Sequence, residues 1–395
     1  MVASSKTQCT FATRPKERVF FNPTELADHV RERSKSIRVV KAPLQKVRLR
    51  ADGTTLQLRA PGLSLPAELT HLAASQLCQR VNLSKRFLAQ VSPRTAALAI
   101  NESLGNVRAR DLNLRVDGKQ RLHSVVSPHY VPVDDVDIME RIGQPLTQEG
   151  WMVPPRSAYA NSPRARPALA HEVLPSDGKH WMVREGDLIQ PAGARSSDRF
   201  LHLFLVHPER VVDTSDIMDR KLLRGIKIRH SESGEGSLAI DGFLFDTICG
   251  NYMMMGSRRV FRIRMAHKGF ESVHAMVDLA VRRLEVCRRM QMERAGALAW
   301  MAKKAAKVLL SEDDRSRTVE IEQMLAGARI KGIFSRSFIH RAHAHGRSGK
   351  YGDRRSLWSV VCCLTEEAQV KVQYAEQREV YDQAAAQLLE WGISA

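Results

Sequence analysis

"FLHLFLV" (residues 200–206) and, a short way on, "RGIKIRHSESGEGSLAIDGFLFDTICGNYMMMG" (224–256) decide the fold. The first is a nearly unbroken apolar run of strand length, the pattern of a strand covered on both faces. The second reads as a basic strand, a glycine-broken turn at Ser233–Gly236 and a second strand, so it forms a central hairpin. "GSRRVFRIRM" (256–265) follows, with Val260, Phe261, Ile263 and Met265 alternating with arginines, and extends the sheet.

The same grammar holds to the N-terminal side. Asn22-Pro23-Thr24-Glu25 is a helix start, with Asn as cap and Pro in the first turn. "SIRVVKAPLQKVRLRADGTTLQLR" (36–59) alternates apolar and polar residues around Asp52-Gly53, a hairpin turn, and presents Lys46, Arg48 and Arg50 on one face. Helices are expected over 66–80 and 92–104. "RLHSVVSPHYVPVDD" (121–135) reads as a strand, a Ser-Pro turn and a second short strand, with Asp134-Asp135 opening a helix through Ile138 and Ile142. Residues 150–198 are proline-rich and aperiodic.

Beyond residue 271 the period changes. Val273, Met276, Val277, Ala280, Leu284 and Cys287 recur at helical spacing, with Arg282, Arg283, Arg288 and Arg289 on the opposite face. A further helix is expected over 318–328. "HRAHAHGRSGKYGDRR" (340–355) reads as a basic loop, and "LWSVVCCLTEEAQ" (357–369) opens one or two closing helices. The expectation is an α+β protein with a mixed, mostly antiparallel sheet core and a helical C-terminal third. Its organisation is a basic tail and short helix over 1–36, the core over 37–270 and the helical region over 271–395.

Composition narrows the partners. Among 395 residues, 61 Lys+Arg face 43 Asp+Glu, a formal charge of +18. Such a field attracts polyanions in a salt-dependent way but carries no sequence reading by itself. Aromatic residues are only 6%, which favours contacts to a phosphate backbone over base stacking. The six cysteines, Cys9, Cys78, Cys249, Cys287, Cys362 and Cys363, form no C-x-x-C pair, so a reducing cytoplasm is expected. No stretch approaches the roughly 18–20 apolar residues of a membrane span, and the N-terminus has no secretory pattern.

The motifs for small-molecule chemistry fail one by one. Gly234-Glu235-Gly236 is followed by Ala239, not glycine, and opens a strand, so it is a turn and not a dinucleotide fingerprint. Gly346, Gly349 and Lys350 have the wrong spacing for a phosphate loop. His340 and His343 share a helical face and sit near His345, but no carboxylate matches them and arginines surround them, so no metal is expected. Cys249 reads as a small core residue, and at most one of Cys362 and Cys363 should face the core. Ser231 and His230 are adjacent on a strand and point to opposite faces. Asp134-Asp135 and Asp313-Asp314 read as helix-start and loop residues. No catalytic residue and no cofactor is assigned. The basic clusters Arg258, Arg259, Arg262, Arg264 and Arg282, Arg283, Arg288, Arg289, with Lys46, Arg48 and Arg50, are the candidate phosphate-binding residues.

His230, Ser231, Glu232 and Gly234 in the turn, with Ser237, Cys249 and Asn251 after it, resemble the signature of a phage- and plasmid-encoded family catalogued as domain of unknown function 932. Tyr252 stands where that family has glycine. "VVSPHYVPVDD" (125–135), Ala266-His267-Lys268-Gly269 and "SLWSVVCCLTEEAQ" (356–369) are similar to further blocks of the family in the same order. The resemblance implies a mobile-element setting and transfers no catalytic residue. With the charge, it leads to a nucleic-acid-binding protein of a phage, prophage or plasmid, with DNA ahead of RNA, suited to single-strand handling, recombination or annealing. A homo-oligomer is left open. The alternatives are a protein-interaction module, such as a host-defence antagonist or assembly factor, and a metal-dependent nuclease. His230, Glu232 and Asn251 are the polar residues that a simple hairpin does not explain.

Overall fold

The structure is a computed structural model that describes residues 10–108, 110–158, 163–173, 183–213, 221–246, 261–347, 349 and 351–394. Its strands run in chain order as β1 (Arg18–Phe20), β2 (Arg38–Pro43), β3 (Arg48–Asp52), β4 (Thr55–Arg59), β5 (Ala67–Leu69), β6 (Asp111–Val116) and β7 (Arg121–Val126). They continue as β8 (Arg166–Pro167), β9 (Leu188–Ile189), β10 (Ala194–Ser196), β11 (Leu201–Asp213), β12 (Lys221–His230), β13 (Leu238–Asp246) and β14 (Arg262–Met265). The helices are α1 (Pro23–Lys35), α2 (His71–Arg80), α3 (Lys85–Leu88), α4 (Pro93–Gly105), α5 (Asp135–Ile138), α6 (Gln144–Gln148) and α7 (Val273–Lys307), followed by α8 (Asp314–Gly327), α9 (Arg336–Gly346), α10 (Leu357–Lys371) and α11 (Ala375–Gly392).

The strands form two six-stranded sheets, ordered β2-β6-β7-β5-β4-β3 and β1-β10-β11-β12-β13-β14, with β8 and β9 paired separately. Every pairing is antiparallel except β5 with β7. The α+β class expected from sequence is what the chain adopts.

The first sheet buries Leu49, Leu56, Leu58, Leu112, Leu114, Val116 and Leu122 against Ala73 and Leu77 of α2 and Ile100 and Leu104 of α4. The second sheet uses both faces, as the β11 run requires. Leu201, Leu203, Leu205, Ile226, Ile228, Leu238 and Ile240 join one core with α1, α5 and the first half of α7. Phe204, Val206, Leu223, Phe243 and Phe245 fill the other face. Gly225 lies opposite Phe243 in the β12–β13 register, and that ring occupies the space a β-carbon would need.

Local sequence sets the ends of elements. Asn22 accepts a hydrogen bond from the Glu25 amide at 2.9 Å, with Pro23 in the first turn of α1. Ser92, Ser272, Asp313, Ser335 and Ser356 cap α4, α7, α8, α9 and α10 in the same way. Gly53, at φ +56°, closes the β3–β4 hairpin.

Four local expectations change. Residues 67–69 are a strand because they pair with β4 and β7, and Thr70 then caps α2. No strand follows the Ser127-Pro128 turn, where the Tyr130 hydroxyl donates to the Ser231 carbonyl at 2.7 Å and the Val131 amide to the His267 carbonyl at 2.9 Å. The basic segment from His340 is the second half of α9, which buries Phe338, Ile339 and Ala342. Cys362 and Cys363 are both buried, because α10 packs against α7, α9 and α11 at once. Cys249, Asn251, Arg258 and Arg259 lie outside the described residues, as do the side chains of Arg288 and Arg289.

Gly225→Ala drives a methyl group into the Phe243 ring and costs about 1–3 kcal/mol, the usual penalty for overpacking. A lowered denaturant midpoint with an unchanged slope is the expected result.

Candidate functional site: a buried ionic junction, a basic cleft and an arginine groove

His230 and Glu232 are fully buried at the end of β12. The His230 Nδ1–H donates to Asp135 Oδ1 at 2.6 Å, and Glu232 Oε2 accepts the Asp135 backbone amide at 3.1 Å. Arg33 of α1 bridges both acids, bonding Asp135 and lying 3.1 Å from Glu232 Oε1. His123 of β7 is 3.2 Å from the same Glu232 oxygen, and Arg115 of β6 pairs with Asp134. The junction therefore ties both sheets to α1 and α5.

Its electrostatics follow from that pairing. Burial alone pushes a carboxyl toward the neutral form, but Arg33, His123 and Arg115 outweigh it and hold Glu232 well below the usual carboxylate range. Burial works against the Arg33 and Arg115 charges too, yet their acidic neighbours raise both above the ordinary arginine value. His267 stacks on His230 and on Tyr130, with ring centroids 4.9 Å apart in each case. Burial and the neighbouring His230 lower it to about 3, so it is neutral. Such perturbed groups gather at functional sites more often than elsewhere, and geometry must supply the rest.

Beside the junction a cavity of about 660 Å³ opens between the two sheets. The first sheet contributes the β6–β7 turn at Asp117–Arg121, His123 and the start of α2 at Thr70–Leu72. The second contributes Arg18 and Ser196–Asp198, and α1 adds His29, Glu32, Arg33 and Ser36. His29 is lowered to about 4 by burial, Arg33 and Arg18. The size is within the range of small-ligand sites.

The predicted arginines are divided. Arg262, Arg264, Arg282 and Arg283 line one open groove of about 610 Å³ between β14 and α7, with Ile263, Val286 and Cys287. Arg264 clamps the buried Asp241 with two bonds of 2.9 Å, and Arg262 Nε adds a third at 3.0 Å. Arg282 and Arg283 are exposed. Lys46, Arg48 and Arg50 do not line this groove: Arg48 and Arg50 lie on β3, the outer strand of the other sheet, with Lys46 just before it.

Other candidates resolve as structure. The Ser231 hydroxyl accepts the Glu235 amide at 3.0 Å and meets Ser233 Oγ at 3.1 Å inside the turn, where Gly234 takes φ +80°. His343 Nε2 meets Thr318 Oγ1 at 3.0 Å, and His345, contrary to the expectation of no matching carboxylate, lies 3.1 Å from Glu367. No group of three metal-ligating side chains occurs among the described residues.

Sequence reading flagged His230 and Glu232 but took Asp134-Asp135 for helix-start residues. They are that as well: the Asp134 amide donates to Asp137 in a capping box. The cleft was missed because its walls come from five distant segments, each ordinary by itself.

Arg33→Ala leaves Asp135 and Glu232 short of a buried partner and costs about 3–5 kcal/mol in chemical denaturation. Acid acts through the histidines. Below the unfolded value of 6.5 the unfolded chain binds protons that folded His267 and His29 refuse down to about 3 and about 4. Stability therefore falls as pH drops through that window, by up to about 1.4 kcal/mol per unit for each group. His267→Phe keeps the stack and should flatten the acid limb of the stability curve. No family model, curated protein or solved structure matches this chain.

Proposed function

We propose that the chain is a nucleic-acid-binding protein that grips a phosphate backbone in the groove between β14 and α7. The observation that carries this is the gathering of Arg262, Arg264, Arg282 and Arg283 around one open groove with no acidic residue among those lining it. Asp241, fully buried beneath, is a single carboxylate shared by Arg262 and Arg264. It fixes their guanidiniums in place without cancelling the charge of the groove. The overall charge of +18 supplies long-range attraction. Ile263 and Val286 offer apolar contact but no stacking ring, which fits grip without base reading. DNA stays ahead of RNA, and the phage or plasmid setting rests on the family resemblance.

A protein-interaction role is the second reading. It is favoured by Val286 and Trp300, 58% and 51% exposed on α7. A metal-dependent nuclease finds no ligand cluster among the described residues to build on.

The double variant Arg282→Ala/Arg283→Ala removes two exposed cations that hold no fold contact with Asp241. In gel-shift titrations at two salt concentrations it should weaken single-stranded DNA binding at least tenfold and reduce the salt slope by about two. Unchanged affinity and slope would sink the proposal; retention of a protein partner with no DNA bound would favour the second reading.

A further inference from the structure

We propose that the cleft between the two sheets is a second, separate site that binds a phosphate-bearing ligand. Its acids are already engaged. Asp117 holds Arg121 and the amides of Lys119 and Arg121, Asp198 is bonded by Arg14 at 2.7 Å, and Glu32 pairs with Lys35 at 2.6 Å. Three of the five Lys and Arg side chains lining it are not. Among the described residues, Lys16, Arg18 and Lys119 have no carboxylate partner, although they come from the chain's N-terminal segment, an edge strand and the turn of the other sheet. Arg18 meets only the neutral His29, 3.4 Å away.

At the inner wall Arg33 donates to Ser196 Oγ at 3.0 Å and keeps its buried Nε unbonded. Beside it His123 lies 3.2 Å from Glu232 and lines the cavity. Cations from three elements converging on a cavity with a fixed guanidinium and imidazole at its base match the charge and donors of a phosphate group. The volume of about 660 Å³ admits a nucleotide-sized molecule or the end of a nucleic-acid strand.

This site is independent of the groove. The cleft sits at the β1–β10 edge of the second sheet and the groove at β14, the opposite edge. Five strand spacings separate β1 from β14, about 24 Å. The two can therefore be tested apart.

The experiment titrates the full chain with inorganic phosphate and a nucleoside 5′-monophosphate by calorimetry, and with a single-stranded oligonucleotide carrying a 5′-phosphate or a 5′-hydroxyl. The variants are Arg18→Ala/Lys119→Ala and, as control, Arg282→Ala/Arg283→Ala. Both residues of the first pair are exposed, so folding should be retained, as a thermal melt will show. The expected result is binding of inorganic phosphate or the nucleotide, or a preference for the 5′-phosphate over the 5′-hydroxyl oligonucleotide, that is lost or weakens tenfold or more in Arg18→Ala/Lys119→Ala and is unchanged in the control. A 5′-phosphate preference lost in that variant identifies a strand end as the source, whereas binding confined to free phosphate or nucleotide identifies a small molecule. Absence of binding by every phosphate probe, or equal binding by parent and Arg18→Ala/Lys119→Ala, overturns the proposal whatever the groove does.

Discussion

A buried charge must find a partner, and that requirement organises this molecule. Asp135 and Glu232 lie where water cannot solvate them, so Arg33, His123 and His230 must converge on them. These residues belong to α1, β7, α5 and the β12 end, so satisfying one pair of acids fixes the relative placement of both sheets. Gln76 repeats the arrangement with neutral groups. Its amide donates to the Ser233 carbonyl at 2.7 Å and accepts from the Val125 amide at 2.7 Å, joining α2, β7 and the central turn.

The opposite face of the second sheet uses the same device. Lys227, fully buried on β12, lies 3.1 Å from Glu379 of α11, and Arg229 bonds the same carboxylate at 2.9 Å. Lys227 with Arg229 outweighs burial and lowers Glu379 to about 2, while burial dominates at the neighbouring Asp382 and raises it to about 6. The two carboxyls lie within one turn of a helix, and cations lower both; at Asp382 burial outweighs Arg378 and Lys227, whereas at Glu379 Lys227 and Arg229 outweigh burial. Charge thus locks the helical third to the sheet, where a purely apolar seam would have left its register less defined.

Much of this was legible in sequence where the information is local. The β11 run, the β12–β13 hairpin, Asp52-Gly53 and the caps at Asn22 and Ser92 each declare themselves within a few residues. What stayed hidden depends on partners far away. Strand β6 escaped notice although Leu112, Leu114 and Val116 alternate with polar residues, and nothing local shows that its polar face is also buried at Asn113 and at Arg115, which bonds Asp134. Helix α9 looked like a basic loop because its apolar side is only Phe338, Ile339 and Ala342 among histidines and arginines. His230 and Glu232 stood out as unexplained polarity, but nothing near them in the chain names Arg33, some two hundred residues earlier in sequence, as the reason. The groove was half legible: the arginines of β14 and α7 meet, while those of β3 decorate another sheet.

One contact reaches further than its size suggests. Arg14 lies 3.6 Å over the Tyr374 ring and bonds Glu376, and Glu17 accepts the Ala375 amide at 3.2 Å while bonding Arg195 at 2.8 Å. Segments more than 350 residues apart thus close against one another at the cleft edge of the second sheet. A chain emerging vectorially from the ribosome cannot make this closure until α11 has been synthesised. The long-range loop entropy of this closure is met only once α11 is present. Until then the nascent sheet holds Lys227 and Arg229 without Glu379, and Glu17 without the Ala375 amide. Closure of this edge of the sheet therefore depends on α11, the element that carries the partners of both its N-terminal segment and its buried cations.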